Sequence, residues 1–163
     1  MDSEFLRIVG SSVAKKQIVA LTGLVLIGYV LIHLMGNFFI FGGPGALNGY
    51  AEKLHALGPL LWLARLILIA AAVVHIVVTV ILWFENRSAR TVGYAVSADF
   101  GSTTFAKKTM IYTGLVILFF LFLHLWDFTF ANKTGEASII PGRSNPVSQG
   151  LFGVVWNSFL QPW

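Results

Sequence analysis

The chain contains no cysteine. That removes disulfides, thiolate-held iron–sulfur clusters, thiolate-ligated haem and the Cys-x-x-Cys-His attachment of c-type haem. Any metal or cofactor must be held by imidazole, by oxygen ligands or by packing. Charge is scarce too, at 11% of 163 residues, against about 25% in an ordinary soluble domain. A nucleophile–base constellation is lacking. So is a phosphate-binding loop, because Gly42 to Gly45 has no preceding strand, no lysine and no helix start of the kind such a loop needs. No independent catalytic site is expected.

What the chain has instead is apolar length, with 56% hydrophobic residues. Three runs, at about residues 18–41, 60–84 and 110–130, each exceed the roughly 20 residues needed to cross a hydrocarbon core. The first is too long for the apolar core of a signal peptide and ends without a small-residue cleavage site, so it reads as a retained span. The expected fold is an all-α membrane protein, a transmembrane helix bundle forming one domain over residues 1–163. Its parts are a cytoplasmic segment to residue 17, an external loop at 42–59, a cytoplasmic loop at 85–106 and an external tail from 131.

The net charge of +4 follows topology rather than a nucleic-acid patch. Arg7, Lys15, Lys16, Arg87, Arg90, Lys107 and Lys108 flank one side of the spans, while Lys53, Arg65, Lys133 and Arg143 fall toward the other. The positive-inside rule then puts the N-terminus in the cytoplasm. Trp62, Trp83 and Trp126, with Tyr50 and Tyr112, lie near the span ends as an aromatic belt does. Turn chemistry at Gly42-Gly43-Pro44-Gly45 and Gly58-Pro59 brackets a short interfacial helix at about 46–57. The polar loop at 85–106 suits a soluble partner. In the tail, Pro141-Gly142 and Asn145-Pro146 mark turns, and the apolar stretch 151–160 reads as the start of a fourth helix.

One pattern occurs twice. Thr22-Gly23-Leu24 precedes His33, and Thr113-Gly114-Leu115 precedes His124, each histidine eleven residues after its threonine. Both copies follow a basic approach, Ala14-Lys15-Lys16 and Ala106-Lys107-Lys108. His33 lies 17 residues beyond Lys16, and His124 lies 16 beyond Lys108. At about 1.5 Å per residue both sit roughly 25 Å from the basic side. Spans one and three run parallel, so the two imidazoles share a level in the outer half of the membrane. Two neutral imidazoles facing each other from different helices are what bis-histidine ligation of a b-type haem requires, and bundle cores commonly build such sites. Eleven residues are close to three turns, so Thr22 shares a face with His33 and Thr113 with His124. Gly36 and Gly23 would admit either a porphyrin or a neighbouring helix.

His75 lies about nine residues before the inner end of the second span, roughly 10 Å nearer the cytoplasm than the other two. It suits a second, inner haem, whose sixth ligand this chain does not visibly supply. Arg65, about five residues into the second span, either pairs with haem propionates or snorkels to the interface. Glu52 and His55 in the external loop are either proton-handling groups at a quinone site or solvated loop residues.

These residues resemble the dihaem cytochrome b membrane-anchor subunit of bacterial succinate dehydrogenases and fumarate reductases. The likeness covers nearly the whole chain. It is carried by Ala14-Lys15-Lys16 with Thr22-Gly23-Leu24, His33-Leu34-Met35-Gly36-Asn37, Gly43-Pro44 to Asn48-Gly49-Tyr50, and Trp62 to Arg65. It continues through His75, Glu85-Asn86-Arg87 with Ala89-Arg90, and Lys107-Lys108-Thr109-Met110 with His124. The resemblance implies five transmembrane helices, the last two missing from this chain, and two b haems stacked across a bacterial cytoplasmic membrane. His33 and His124 correspond to the ligands of the outer haem and His75 to one ligand of the inner haem, whose usual partner lies on the fifth helix. It also implies menaquinone, or ubiquinone, near the outer haem. A cytoplasmic iron–sulfur subunit and a flavoprotein would perform the succinate/fumarate chemistry of the respiratory chain and tricarboxylic acid cycle.

Three rival readings stand beside it. One is a b-type cytochrome anchor of another complex, such as a hydrogenase or formate dehydrogenase. A second is a haem-free anchor whose histidines only bridge helices. The third is a proton- or ion-conducting bundle with the three intramembrane histidines as relays.

Overall fold

A computed structural model of the chain describes residues 10–89, 105–130, 138–140 and 148–160. Among the described residues five α-helices follow one another: α1 (Ser12–Asn37), α2 (Gly43–His55), α3 (Pro59–Ser88), α4 (Phe105–His124) and α5 (Gly150–Leu160). A 3-10 turn at Phe38–Gly42 joins α1 to α2, and a π-helical turn at Leu125–Thr129 extends α4. The described residues contain no strand, only an isolated bridge between Ile139 and Ser148. The fold is all-α. Three helical stretches, Ser12–His55, Pro59–Ser88 and Thr109–Thr129, are long and apolar enough to cross a membrane. None of the residues in their most apolar stretches is buried within the protein, so their surfaces are left for lipid or for other helices.

Local chemistry sets the helix ends. Ser11 stands in extended conformation before α1 and its hydroxyl accepts from the Ala14 amide at 3.2 Å, an N-cap. Gly43 has φ +80°, a left-handed conformation that favours glycine, and Pro44 follows at the start of α2. Gly58 has φ +53°, and Pro59 opens α3 at a position where its missing N–H costs nothing.

The helices overrun the apolar runs. α1 begins at Ser12, so the Lys15-Lys16 pair lies in its first turns, and part of the expected cytoplasmic segment is helical. α3 continues through Glu85, Asn86 and Arg87 to Ser88, taking four residues from the expected cytoplasmic loop. α2 starts at Gly43 rather than near residue 46 and ends at His55. α4 starts at Phe105 rather than near residue 110. The reason is the same throughout: apolar length measures the hydrocarbon core, whereas a helix keeps its hydrogen bonds in water as well. The stretch read as the start of a fourth helix, 151–160, is helical, as α5. Residues 1–9, most of the loop at 90–104, and 131–137, 141–147 and 161–163 of the tail lie outside the described residues, with Arg7, Arg90, Lys133 and Arg143 among them.

The chain divides into two compact units, Met1–Phe38 with Glu52–Gly93, and Phe39–Ala51 with Tyr94–Trp163. In the first, α1 and α3 pack antiparallel: the Lys15 ammonium meets the Glu85 carboxylate at one end, and Val19 and Thr22 meet His75 further along. In the second, the Asn48 side chain of α2 donates to the Gln149 carbonyl at 2.8 Å and accepts from the Phe152 amide at 3.1 Å. Asn48 thereby caps α5 from far away in sequence. Asn157 on α5 donates to the Ile139 carbonyl at 2.9 Å, and the fully buried Ser138 hydroxyl pairs with Ser148 at 2.6 Å.

Candidate functional site

His75 sits where α3 faces α1. Its Nδ1 lies 3.1 Å from the Val19 carbonyl oxygen and 3.1 Å from Thr22 Oγ1. A carbonyl can only accept, so Nδ1 carries the hydrogen. The Thr22 hydroxyl donates to the Ile18 carbonyl at 2.7 Å, which turns an oxygen lone pair toward the ring. In its neutral form the ring then presents its own lone pair at Nε2. Among the described residues Nε2 makes no hydrogen bond. Gly23 completes the seat: a Cβ built there would stand 3.1 Å from His75 Cε1, too close for comfort. A ring nitrogen bonded to a backbone carbonyl, with the other left bare, is the arrangement that orients metal-ligating histidines.

His33 lies eleven residues beyond Thr22 on α1, about 16 Å further along the axis at the helical rise. It is thus at a different level from His75. Its ring stacks on Tyr29 at 5.4 Å between centroids, with Nδ1 3.5 Å from the Tyr29 hydroxyl. His33 belongs to the first unit and His124 to the second.

His124 closes the α-helical part of α4, between Phe120 and Phe128 at 5.6 and 5.0 Å. Immediately after it the helix widens into the π turn, closed by Phe130 N donating to Leu125 O at 3.2 Å. Such turns are rare and recur at functional sites. Nothing in the sequence signals it.

The other expected site residues are placed as follows. Thr22 serves the His75 ring, although helical periodicity ties it to His33. Thr113 is exposed and donates to the Met110 carbonyl of its own helix at 3.0 Å. Gly36 is buried. Arg65 is exposed, its guanidinium 4.9 Å from the Trp62 ring centre, and among the described residues it forms no salt bridge. Its planar fork is open to carboxylates. Glu52 and His55 are exposed near the C-terminal end of α2. Two contributors escaped the sequence reading: the Val19 carbonyl, which has no side-chain signature, and Asn48, whose only signal is its place in Asn48-Gly49-Tyr50.

Among the described residues, no three His, Cys, Asp or Glu side chains gather into a metal-binding group. A haem iron asks for less, one or two axial imidazoles, and a Nε2 lone pair on a ring fixed at Nδ1 fits that role. Comparisons of the chain with protein-family models, with curated proteins and with solved structures gave no match.

Proposed function

We propose that the chain is the haem-b-binding membrane anchor of a succinate:quinone oxidoreductase. It would sit in a bacterial cytoplasmic membrane with its N-terminus inside. The observation that carries this reading is the His75 ring, held at Nδ1 by Val19 and Thr22 with Nε2 left as a bare lone pair. His75 would hold an inner haem, and His33 and His124 would each offer an imidazole to an outer one. When bound, b haem supplies one-electron transfer between a cytoplasmic iron–sulfur subunit and membrane quinone. The chain's own residues hold and orient. Val19 and Thr22 fix the His75 ring, Gly23 gives it room, and Arg65 offers two N–H groups to a propionate. Glu52 and His55, exposed near the end of α2, would be the side chains at hand for a quinone there. Succinate and fumarate react on the flavoprotein, so this chain is an enzyme subunit without a dicarboxylate site.

A second reading has an observation of its own. The Thr22–His75 hydrogen bond also serves a haem-free anchor, in which histidines merely tie helices together. A pyridine haemochrome assay on the purified native complex, with haem counted per chain, separates the two. The anchor reading expects haem that falls in His33→Ala and, separately, in His75→Ala. A folded, membrane-inserted complex without haem would leave only the haem-free anchor. Identifying the soluble subunits that copurify separates the succinate complex from other cytochrome b anchors.

A further inference from the structure

We infer that Arg87 and Trp83, near the C-terminal end of α3, form a binding site for the phosphate group of an anionic phospholipid. This is the end that the positive-inside rule puts in the cytoplasm. The inference rests on the apolar span and its end, and holds with or without haem.

α3 carries a tryptophan toward each end of its apolar stretch. Trp62 and Trp83 lie 21 residues apart, about 31 Å at the helical rise, against a hydrocarbon core about 30 Å thick. When one indole stands at a lipid–water boundary, where indoles partition, so does the other. Arg87 starts one turn beyond Trp83, where an extended side chain would reach into water. It reaches back instead. Helix side chains lean toward the N-terminus, and the Arg87 guanidinium rests 5.6 Å from the Trp83 ring centre. Trp83 is itself braced against Phe84, the ring centres 4.8 Å apart and the planes at 76°. The cation is thereby held at headgroup level.

The donors of this pair are unspent. Arg87 is exposed and, among the described residues, forms no ion pair or hydrogen bond. Of the described carboxylates only Glu85 belongs to this end of the α1–α3 pair, and Lys15 takes it. Arg87 and the exposed Lys16 are left as the uncompensated charges there among the described residues. Stacking uses the flat face of a guanidinium. Its in-plane N–H groups stay outward, as a fork that fits two phosphate oxygens. The Trp83 indole N–H is a further donor beside it.

Depth decides the occupant. A soluble acidic protein would have to bring a carboxylate down to the indole to pair with Arg87, whereas a phospholipid carries its phosphodiester at that level. Trp83 and Phe84, 39% and 59% exposed, also offer apolar surface that suits acyl chains and not a soluble domain. Net charge then selects among lipids. The choline of a zwitterionic lipid is repelled by Arg87 and Lys16, while an anionic headgroup brings no cation of its own, and basic residues at a membrane surface attract it.

The test is native mass spectrometry of the full chain, with the subunits that copurify, from nanodiscs of equal parts phosphatidylglycerol and phosphatidylcholine. The original chain is expected to retain phosphatidylglycerol selectively. Arg87→Gln should lower that retention about fivefold, the factor that one basic side chain is worth at an anionic surface. Trp83→Leu keeps the charge but removes the face it rests on, and should lower retention as much. Arg87→Lys should fall between, and Lys53→Gln on α2 should change nothing. Each variant is first shown to be helical by circular dichroism. An equal loss in Lys16→Gln with none in Trp83→Leu would mean diffuse surface charge and overturn the site. Equal retention of the two lipids would overturn it too, as would displacement of the lipid by millimolar inorganic phosphate. Loss of a soluble subunit from Arg87→Gln, with lipid retention unchanged, would assign the arginine to a protein partner instead.

Discussion

Thr22 and His75 stand 53 residues apart in sequence and 3.1 Å apart in space, hydroxyl oxygen to ring nitrogen. The contact joins two antiparallel helices within their apolar stretch, well away from the Lys15–Glu85 ion pair at one end. It therefore fixes their register at a point where apolar packing alone would tolerate sliding. Hydrogen bonds between membrane helices average about 0.6 kcal/mol and reach about 1.7. Thr22→Val, nearly isosteric, should cost an amount in that range. Thr22→Ser should stay close to the original. Detergent-titrated unfolding of the protein measures both. Val19 O remains in the valine variant, so nitrogen-15 shifts of His75 should still report the hydrogen on Nδ1. A switch to the Nε2–H form would show that the hydroxyl, not the carbonyl, sets the tautomer.

Gly23 offers a graded test of the same seat. Its added Cβ would lie 3.1 Å from His75 Cε1, a few tenths of an ångström too near. If the chain is the haem anchor proposed above, Gly23→Ala should therefore move the ring slightly and shift the midpoint potential of the inner haem without loss of haem. Gly23→Leu cannot be absorbed by so small a movement and should abolish that haem while the His33-dependent one persists. Equal behaviour of the two variants in optical redox titration would mean the ring is not held against this glycine.

The three spans were legible in the sequence because apolar length is a direct readout of bilayer thickness. Helix ends were less so, because Lys15, Lys16 and Glu85 to Ser88 are helical yet polar. Within the candidate site, periodicity correctly puts Thr22 and His33 on one face of α1, but the partner of Thr22 proved to be on α3. No spacing rule finds a contact across 53 residues. Gly23 was read as making room for a porphyrin or a helix; an imidazole from the neighbouring helix is what stands against it. The Asn48 cap spans about a hundred residues and was equally invisible.

At the far end of the same helix pair, Lys15 and Glu85 form an ion pair with side chains 20% and 45% exposed. Pairs this open to solvent are worth about 0–1 kcal/mol and weaken with salt. Glu85→Gln should leave stability within that range at low ionic strength and be indistinguishable from the original in concentrated salt. Unfolding midpoints at the two ionic strengths decide the matter. A large loss that persists in salt would show that Glu85 has a further role.

Asn48 governs the second unit. Its amide nitrogen donates to Gln149 O at 2.8 Å and its oxygen accepts from Phe152 N at 3.1 Å, an amide that belongs to the first turn of α5. Those first amides have no partner within their own helix. Gly150, at φ +59°, brings the chain past the Asn48 amide so closely that a Cβ there would stand 3.1 to 3.3 Å from its atoms. Asn48→Ala removes donor and acceptor together and should cost about 1–2 kcal/mol, the usual worth of a helix cap. Hydrogen exchange at the Phe152 amide should then accelerate about 5- to 30-fold. Asn48→Asp keeps the acceptor, and its charge suits the helix N-terminus, but it sets an anion against the Gln149 carbonyl. It should fall between the two. Exchange at Phe152 unchanged in Asn48→Ala would mean that α5 is held by its contacts with Ser138 and Ile139 instead.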